Sequence, residues 1–217
     1  MQTSSSSFIY LASQSPRRRQ LLEQVGVAHE LLLPDASEDT ESLEAPLPNE
    51  APLRYVKRVT HLKLQAALQR LKTRHLPPAP VLCSDTTVAL GAHILGKPHD
   101  AEDAQRMLSQ LSGVTHRVMT AVSLGQLTKS GVSDPLQISA HMEQSVSISK
   151  VRFAKLSGAQ IDQYVASGEP MGKAGAYAIQ GRAAGFVEHI SGSYSGIMGL
   201  PLFETLQLLN AWDIEHA

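Results

Sequence analysis

The chain opens with a strand that runs straight into a helix whose first turn is cationic. Phe8 to Ala12 is a short apolar run and Ser13-Gln14-Ser15 a polar turn, and Ser15 followed by Pro16 marks a helix start that Gly26 closes. Arg17, Arg18 and Arg19 stand where the helix macrodipole favours negative charge, so each is unfavourable there by about a few tenths of a kcal/mol. A bound polyanion reverses that sign. The free backbone N–H groups, the Ser13 and Ser15 hydroxyls and the guanidinium forks would then all point at the same phosphates. The alternative is a solvated basic patch that happens to begin a helix.

Composition narrows what such a site can serve. With 217 residues, 42% of them hydrophobic and 18% charged, the chain can bury a full core and is not a disordered one. One α/β unit is expected, as a single domain over 1–217 with residues 1–7 forming a flexible N-terminus. A net charge of −1 provides no global field for a nucleic-acid polymer or an anionic membrane, so an anion must meet a local cluster. The lone cysteine, Cys83, permits no internal disulfide and reads as a small core residue. The N-terminus lacks a basic n-region, and no apolar run approaches the roughly 20 residues of a membrane span, which predicts a cytoplasmic protein.

Farther along, Glu30–Leu33 reads as a strand and Asp35 to Glu44 as an acidic loop, in which Glu38 follows the strand closely enough to reach a site. Apolar residues recur at helical spacing from Pro52 to about Lys72, with Lys63 on that helix. Val81 to Leu90 is an apolar strand interrupted by Ser84-Asp85-Thr86-Thr87. A carboxylate in a buried strand costs about several kcal/mol unless it is paired, solvated in a cleft or bound to metal, so Asp85 is the foremost acid/base candidate. Gly91-Ala92-His93 forms a hairpin tip that returns Lys97 beside the same strand end.

Asp100 caps a helix to about Leu111, Thr115–Leu124 is a strand, and 125–142 carries little pattern. Val146, Ile148, Val151 and Phe153 mark a strand whose one break in alternation suggests a bulge. Ser157 and Gln160 form a capping box for a short helix. In 169–182 glycines punctuate an expected short strand, with Lys173 and Gln180 aimed into a site. Phe186–Ile190 reads as a strand, 191–199 as a turn, and Leu200-Pro201 opens a last helix. The nine histidines show no metal-ligand spacing.

Six blocks then coincide in order: Leu11-Ala12-Ser13-Gln14-Ser15-Pro16-Arg17-Arg18, Ser84-Asp85-Thr86-Thr87-Val88, Gly96-Lys97-Pro98, Leu111-Ser112-Gly113 with Thr115-His116, Lys173 through Gly181, and Gly199-Leu200-Pro201. Together they resemble the signature blocks of Maf-type nucleoside triphosphate pyrophosphatases. One departure is Cys83-Ser84 before the aspartate, where Gly-Ala is more usual. The resemblance implies an α/β fold, an elongated mixed β-sheet flanked by helices with two lobes around a cleft, of the inosine-triphosphate-pyrophosphatase-like kind. It also implies a homodimer, a divalent cation (Mg²⁺ or Mn²⁺), and hydrolysis of a nucleoside triphosphate to a monophosphate and pyrophosphate.

By position, Asp85 resembles the family's proton acceptor. Ser13, Arg18, Lys63 and Lys97 match its phosphate-binding positions, and Asp85 with Glu38 would hold the metal. Arg17, Thr86 and Gln180 resemble the base-selecting positions of the branch acting on dTTP and UTP. The alternatives are a same-fold enzyme acting on 7-methyl-GTP and a nucleotide-binding regulator of cell division.

Overall fold

A computed structural model describes residues 7–36, 38–128 and 140–216. Residues 1–6 of the expected flexible N-terminus and 129–139 of the weakly patterned stretch lie outside the described residues. The strands are β1 (Ile9–Leu11), β2 (His29–Leu31), β3 (Val81–Leu90), β4 (His93–Leu95), β5 (Thr115–Leu127), β6 (Ala140–Phe153) and β7 (Val187–Ser191). The helices are α1 (Pro16–Gln24), α2 (Pro52–Thr73), α3 (Ala101–Leu111), α4 (Gly158–Ala166), α5 (Tyr194–Met198) and α6 (Leu202–Ala211). The strands join in one mixed seven-stranded sheet, ordered β2-β1-β3-β5-β6-β7, with β4 also on β3. β1 runs parallel to β2 and β3, and the remaining pairs are antiparallel.

Local chemistry sets the helix ends. Proline stands in the first turn of α1 and α2, where its missing N–H costs nothing, and the Asp100 carboxylate accepts the Asp103 N–H at the head of α3. The Ser157–Gln160 capping box of α4 forms as expected. α2 buries Val56, Val59, Leu64, Leu68 and Leu71 against the sheet, each contributing about 1.5–3 kcal/mol relative to exposure.

The sheet is divided by one irregularity in β3. One edge of this strand pairs with β5 from Val81 to Ala89 without a break. On the other edge β1 pairs only at Val81 and Leu82, and β4 only from Val88 onward. Between them Cys83 to Thr87 face no strand on that side among the described residues. The core is split accordingly. Around the Val81 end, Leu82 packs with Leu21, Leu22, Leu208 and Leu209, while Cys83 packs with Leu64, Ala67 and Leu68. Around the Val88 end, α3, α4 and the 174–186 segment enclose Phe153 and Tyr177. These are the two lobes, and the gap in strand pairing is the cleft between them.

Four expectations need correction. The segment 169–182 forms no strand; single turns of 3₁₀ helix stand at Ala174–Ala176 and Arg182–Phe186. The turn at 191–199 contains α5. β5 and β6 both extend into the weakly patterned stretch, to Leu127 and back to Ala140. β6 pairs with β5 without a bulge, and the register shift lies on its other side, at Arg152/Phe153 against β7. The break in apolar alternation has another cause. Ser147 and Ser149 take the buried positions and Ile148 is exposed, because Ser149 Oγ binds the Ser193 backbone at the head of α5.

Candidate active site

Side chains alternate between the faces of β3, so Cys83, Asp85 and Thr87 face α2 while Ser84 and Thr86 face α1 and the loop before α6. Because the edge between them is open, both sets reach one cleft of about 420 Å³. That lies within the usual range for a small-molecule site. Ser13, Arg17, Arg18, Lys63, Asp85, Thr86, Lys97, Lys173 and Gln180 all line it.

On the α1 side, Arg18 is fixed at three points. Its Nε donates to the Gly199 carbonyl (2.7 Å), Nη1 to Ser13 Oγ (3.1 Å) and Nη2 to Thr86 Oγ1 (3.4 Å). Ser13 Oγ also accepts the Ser15 N–H at 3.2 Å, and Ser15 makes no side-chain cap. The first-turn N–H groups of α1 are thus left without that competitor. Burial pulls the Arg18 guanidinium below its ordinary pKa, with Asp85 opposing. Burial does the same to Arg17, whose Nε donates to the Met198 carbonyl at 3.4 Å. Both cations are held where their charge is poorly solvated, a setting that an anion relieves.

On the α2 side the charges alternate. Lys63 Nζ donates to Asp85 Oδ1 (2.6 Å) and to Glu44 Oε1 (2.7 Å), and Lys97 Nζ donates to Glu44 Oε2 (2.8 Å). Burial lowers the Lys63 pKa, but Asp85 and Glu44 outweigh it and hold the ammonium above its ordinary value. Burial likewise raises Glu44, and Lys63 with Lys97 outweigh that and keep its carboxyl below the usual range. Asp85 is buried and Lys97 exposed, so the chain of charges runs from the cleft floor to its rim.

At the far wall, Thr86 Oγ1 lies 3.0 Å from Thr120 Oγ1, whose proton goes to the Gly196 carbonyl at 2.7 Å. This leaves the Thr86 hydroxyl oriented by its neighbours. Gln180 projects from a turn into the cleft, its side chain exposed. Lys173 binds two carbonyls of its own loop, Glu169 (2.5 Å) and Met171 (3.3 Å), and burial followed by the nearby Arg17 lowers its pKa.

Glu38 is not among the residues that line the cleft. Its two oxygens are held by Arg70 (2.6–3.0 Å) and Arg74 (3.2 Å). Arg70 is 5% exposed, and a buried guanidinium must have its donors matched, so Glu38 serves as its counterion with the Leu32 carbonyl (2.8 Å). The second carboxylate of the cleft is Glu44, from the same acidic loop. A short 3₁₀ turn at Ser42–Glu44 and the Tyr55 hydroxyl, which donates to the Glu44 carbonyl at 2.8 Å, carry it there. Nothing in the local pattern separates these two glutamates; the partners that do so lie on α2. Ser84 was also unassigned, and its hydroxyl joins the Ala121 carbonyl (2.9 Å) and the Gly199 carbonyl (3.0 Å) beneath Arg18. Cys83 is a buried core residue whose thiol is pushed up to about 12 by burial, which removes it as a nucleophile.

Comparison with known proteins agrees with this geometry. Residues 8–212 match the family model of the Maf-like protein. The dTTP/UTP pyrophosphatase of Albidiferax ferrireducens is 66% identical over 97% of this chain and 99% of its own length. The proteins of the same name from Polaromonas sp. strain JS666 and Cupriavidus metallidurans are 61% and 60% identical, each over 94% of this chain and at least 95% of their own. With nearly the whole chain matched, and five of the six blocks contributing residues to the cleft, the chain belongs to the Maf-like family.

Proposed function

We propose that this chain hydrolyses dTTP and UTP, releasing the nucleoside monophosphate and pyrophosphate. The observation that carries this is one buried carboxylate, Asp85, facing a cleft that also gathers Arg17, Arg18, Lys63 and Lys97. A triphosphate carries about four negative charges, and these cations offset them. Water attacks the α-phosphorus, the bond to the β-phosphate's bridging oxygen breaks, and Asp85 takes the proton of the attacking water. The cations then stabilise the leaving pyrophosphate. Gln180 supplies a carboxamide that both donates and accepts, which suits the alternating carbonyl and N–H edge of thymine or uracil. The names of relatives 57–66% identical support the same substrates.

A divalent cation fits this residue set. Among the described residues no group of three His, Cys, Asp or Glu side chains could hold one. Mg²⁺, however, is commonly held by one or two carboxylates, with phosphate oxygens and water completing the shell. Asp85 and Glu44, which share Lys63, are the residues that would hold it. When bound, it adds positive charge at the phosphates. The homodimer implied by the resemblance and the cytoplasmic setting expected from the sequence are carried forward as proposals, and sedimentation of the purified chain tests the first. Among the described residues, no helix is long and apolar enough to cross a membrane.

The deciding experiment is pyrophosphate release from a panel of dTTP, UTP, CTP, dATP, GTP and 7-methyl-GTP, with and without Mg²⁺, for wild type and Asp85→Asn. Preference for dTTP and UTP is expected, with kcat lowered about 10²–10⁴-fold in the variant, the usual range for loss of a general base. Wild-type turnover in Asp85→Asn would remove the assignment.

A further inference from the structure

We propose that Glu169, which does not line the cleft, is a positioning residue for base choice because it holds both flanks of the turn that carries Gln180. This rests on the reading of Gln180 as the group that meets the base. The turn is closed by the Gly181 N–H, which donates to the Ala178 carbonyl at 3.0 Å. Ile179 is buried within it while Gln180 is turned outward. On its leading side the Ala178 N–H donates to the Tyr164 hydroxyl (3.3 Å), which donates to Glu169 Oε1 (3.0 Å). On its trailing side the Arg182 N–H donates to Glu169 Oε2 (3.1 Å). One carboxylate therefore anchors the turn before and after Gln180, through a relay on one side and directly on the other.

The fit at Gly181 points the same way. Its φ of −102° is open to any residue, so conformation does not demand glycine here. A Cβ at this position would lie 2.2 Å from Glu169 Oε1 and 2.6 Å from its Cδ, so the carboxylate is packed directly against the bare α-carbon. The glycine is required by the carboxylate behind it. Lys173 extends the arrangement, since its ammonium donates to the Glu169 carbonyl while its side chain borders the cleft.

A side-chain amide discriminates between bases only if its oxygen and nitrogen are presented in fixed positions, because a mobile carboxamide satisfies either hydrogen-bonding pattern. Glu169→Gln keeps the volume but replaces an acceptor with a donor at one of the two flanks, and Gly181→Ala displaces the carboxylate without removing it. Both are expected to lower the ratio of kcat/KM for UTP over CTP about fivefold or more, mainly through KM for UTP, with kcat within about threefold. Tyr164→Phe cuts the relay alone and gives a smaller change in the same direction. It also serves as the test should Glu169→Gln fold poorly. In a Gln180→Ala background, Glu169→Gln should leave the already lowered ratio unchanged, as expected for two residues acting through one contact.

The outcomes separate cleanly. If Gln180→Ala lowers the ratio but Glu169→Gln, Gly181→Ala and Tyr164→Phe reduce activity on both nucleotides equally, Glu169 is merely structural and the proposal falls while the reading of Gln180 stands. An unchanged ratio in Gln180→Ala overturns both.

Discussion

Lys63 sets the charge balance of the cleft, since it donates to both Asp85 and Glu44, which line it. Its own raised pKa means that the pairing is complete below the ordinary lysine value and is lost only as pH climbs through the higher folded one, so at neutral pH the bridge is intact. Lys63→Met removes the shared cation that outweighs burial at Glu44, so the Glu44 carboxyl should titrate higher in the variant. The acid limb of the kcat/KM profile should therefore move to higher pH by about one unit or more, read from pyrophosphate release across pH 4–9. Glu38→Gln weakens the counterion of buried Arg70 and should cost about 1.5–3 kcal/mol in urea unfolding with kcat little changed. That these roles fall to Glu38 and Glu44 was not legible in the sequence. Both lie in one polar loop, and which is drawn inward depends on Tyr55, Lys63 and Arg70 of α2, 11, 19 and 32 positions from the glutamates they hold.

β3 was the most legible element and the most consequential. Its apolar run interrupted by Asp85 announced a strand with a buried carboxylate, and the helices around it were marked by Pro16, Asp100 and the Ser157–Gln160 box. Less was visible where partners rather than propensities decide. α5 is five residues long in a glycine- and serine-rich stretch and is held by Ser193, whose hydroxyl accepts the Gly196 N–H, and by Ser149 of β6. The apparent break in β6 was that same contact seen from the sequence alone. The 174–176 turn, expected as a strand, packs against β3 instead. Gly175 has a φ of +69°, and a Cβ there would lie 2.8 Å from Val88 Cγ1. Gly175→Ala should destabilise the fold by about 1–3 kcal/mol, through both backbone strain and crowding, as read from the urea midpoint.

Across the molecule, acid sensitivity has an identifiable buried source. His116 is 1% exposed, its Nε2 lies 2.9 Å from the Tyr177 hydroxyl, and its ring stands edge-on to Phe153. Burial lowers its pKa to about 4, offset only slightly by the Val114 backbone. The folded state keeps the ring neutral while the unfolded chain protonates it near its ordinary value. Stability should therefore fall by up to about 3 kcal/mol as pH drops from about 6.5 to about 4, and His116→Phe should flatten that portion of the curve in urea titrations. The depressed carboxyls of Glu38 and Glu44 add losses below the ordinary carboxylate range. The unbroken pairing of β3 with β5, and of β5 with β6, has a mechanical consequence. A continuous ladder passes behind the cleft from one lobe to the other, so the sheet acts as a stiff backplate with no hinge in it. Nucleotide entry and product escape are therefore expected to depend on the rim segments that line the cleft, 40–44 on one lip and 172–180 on the other.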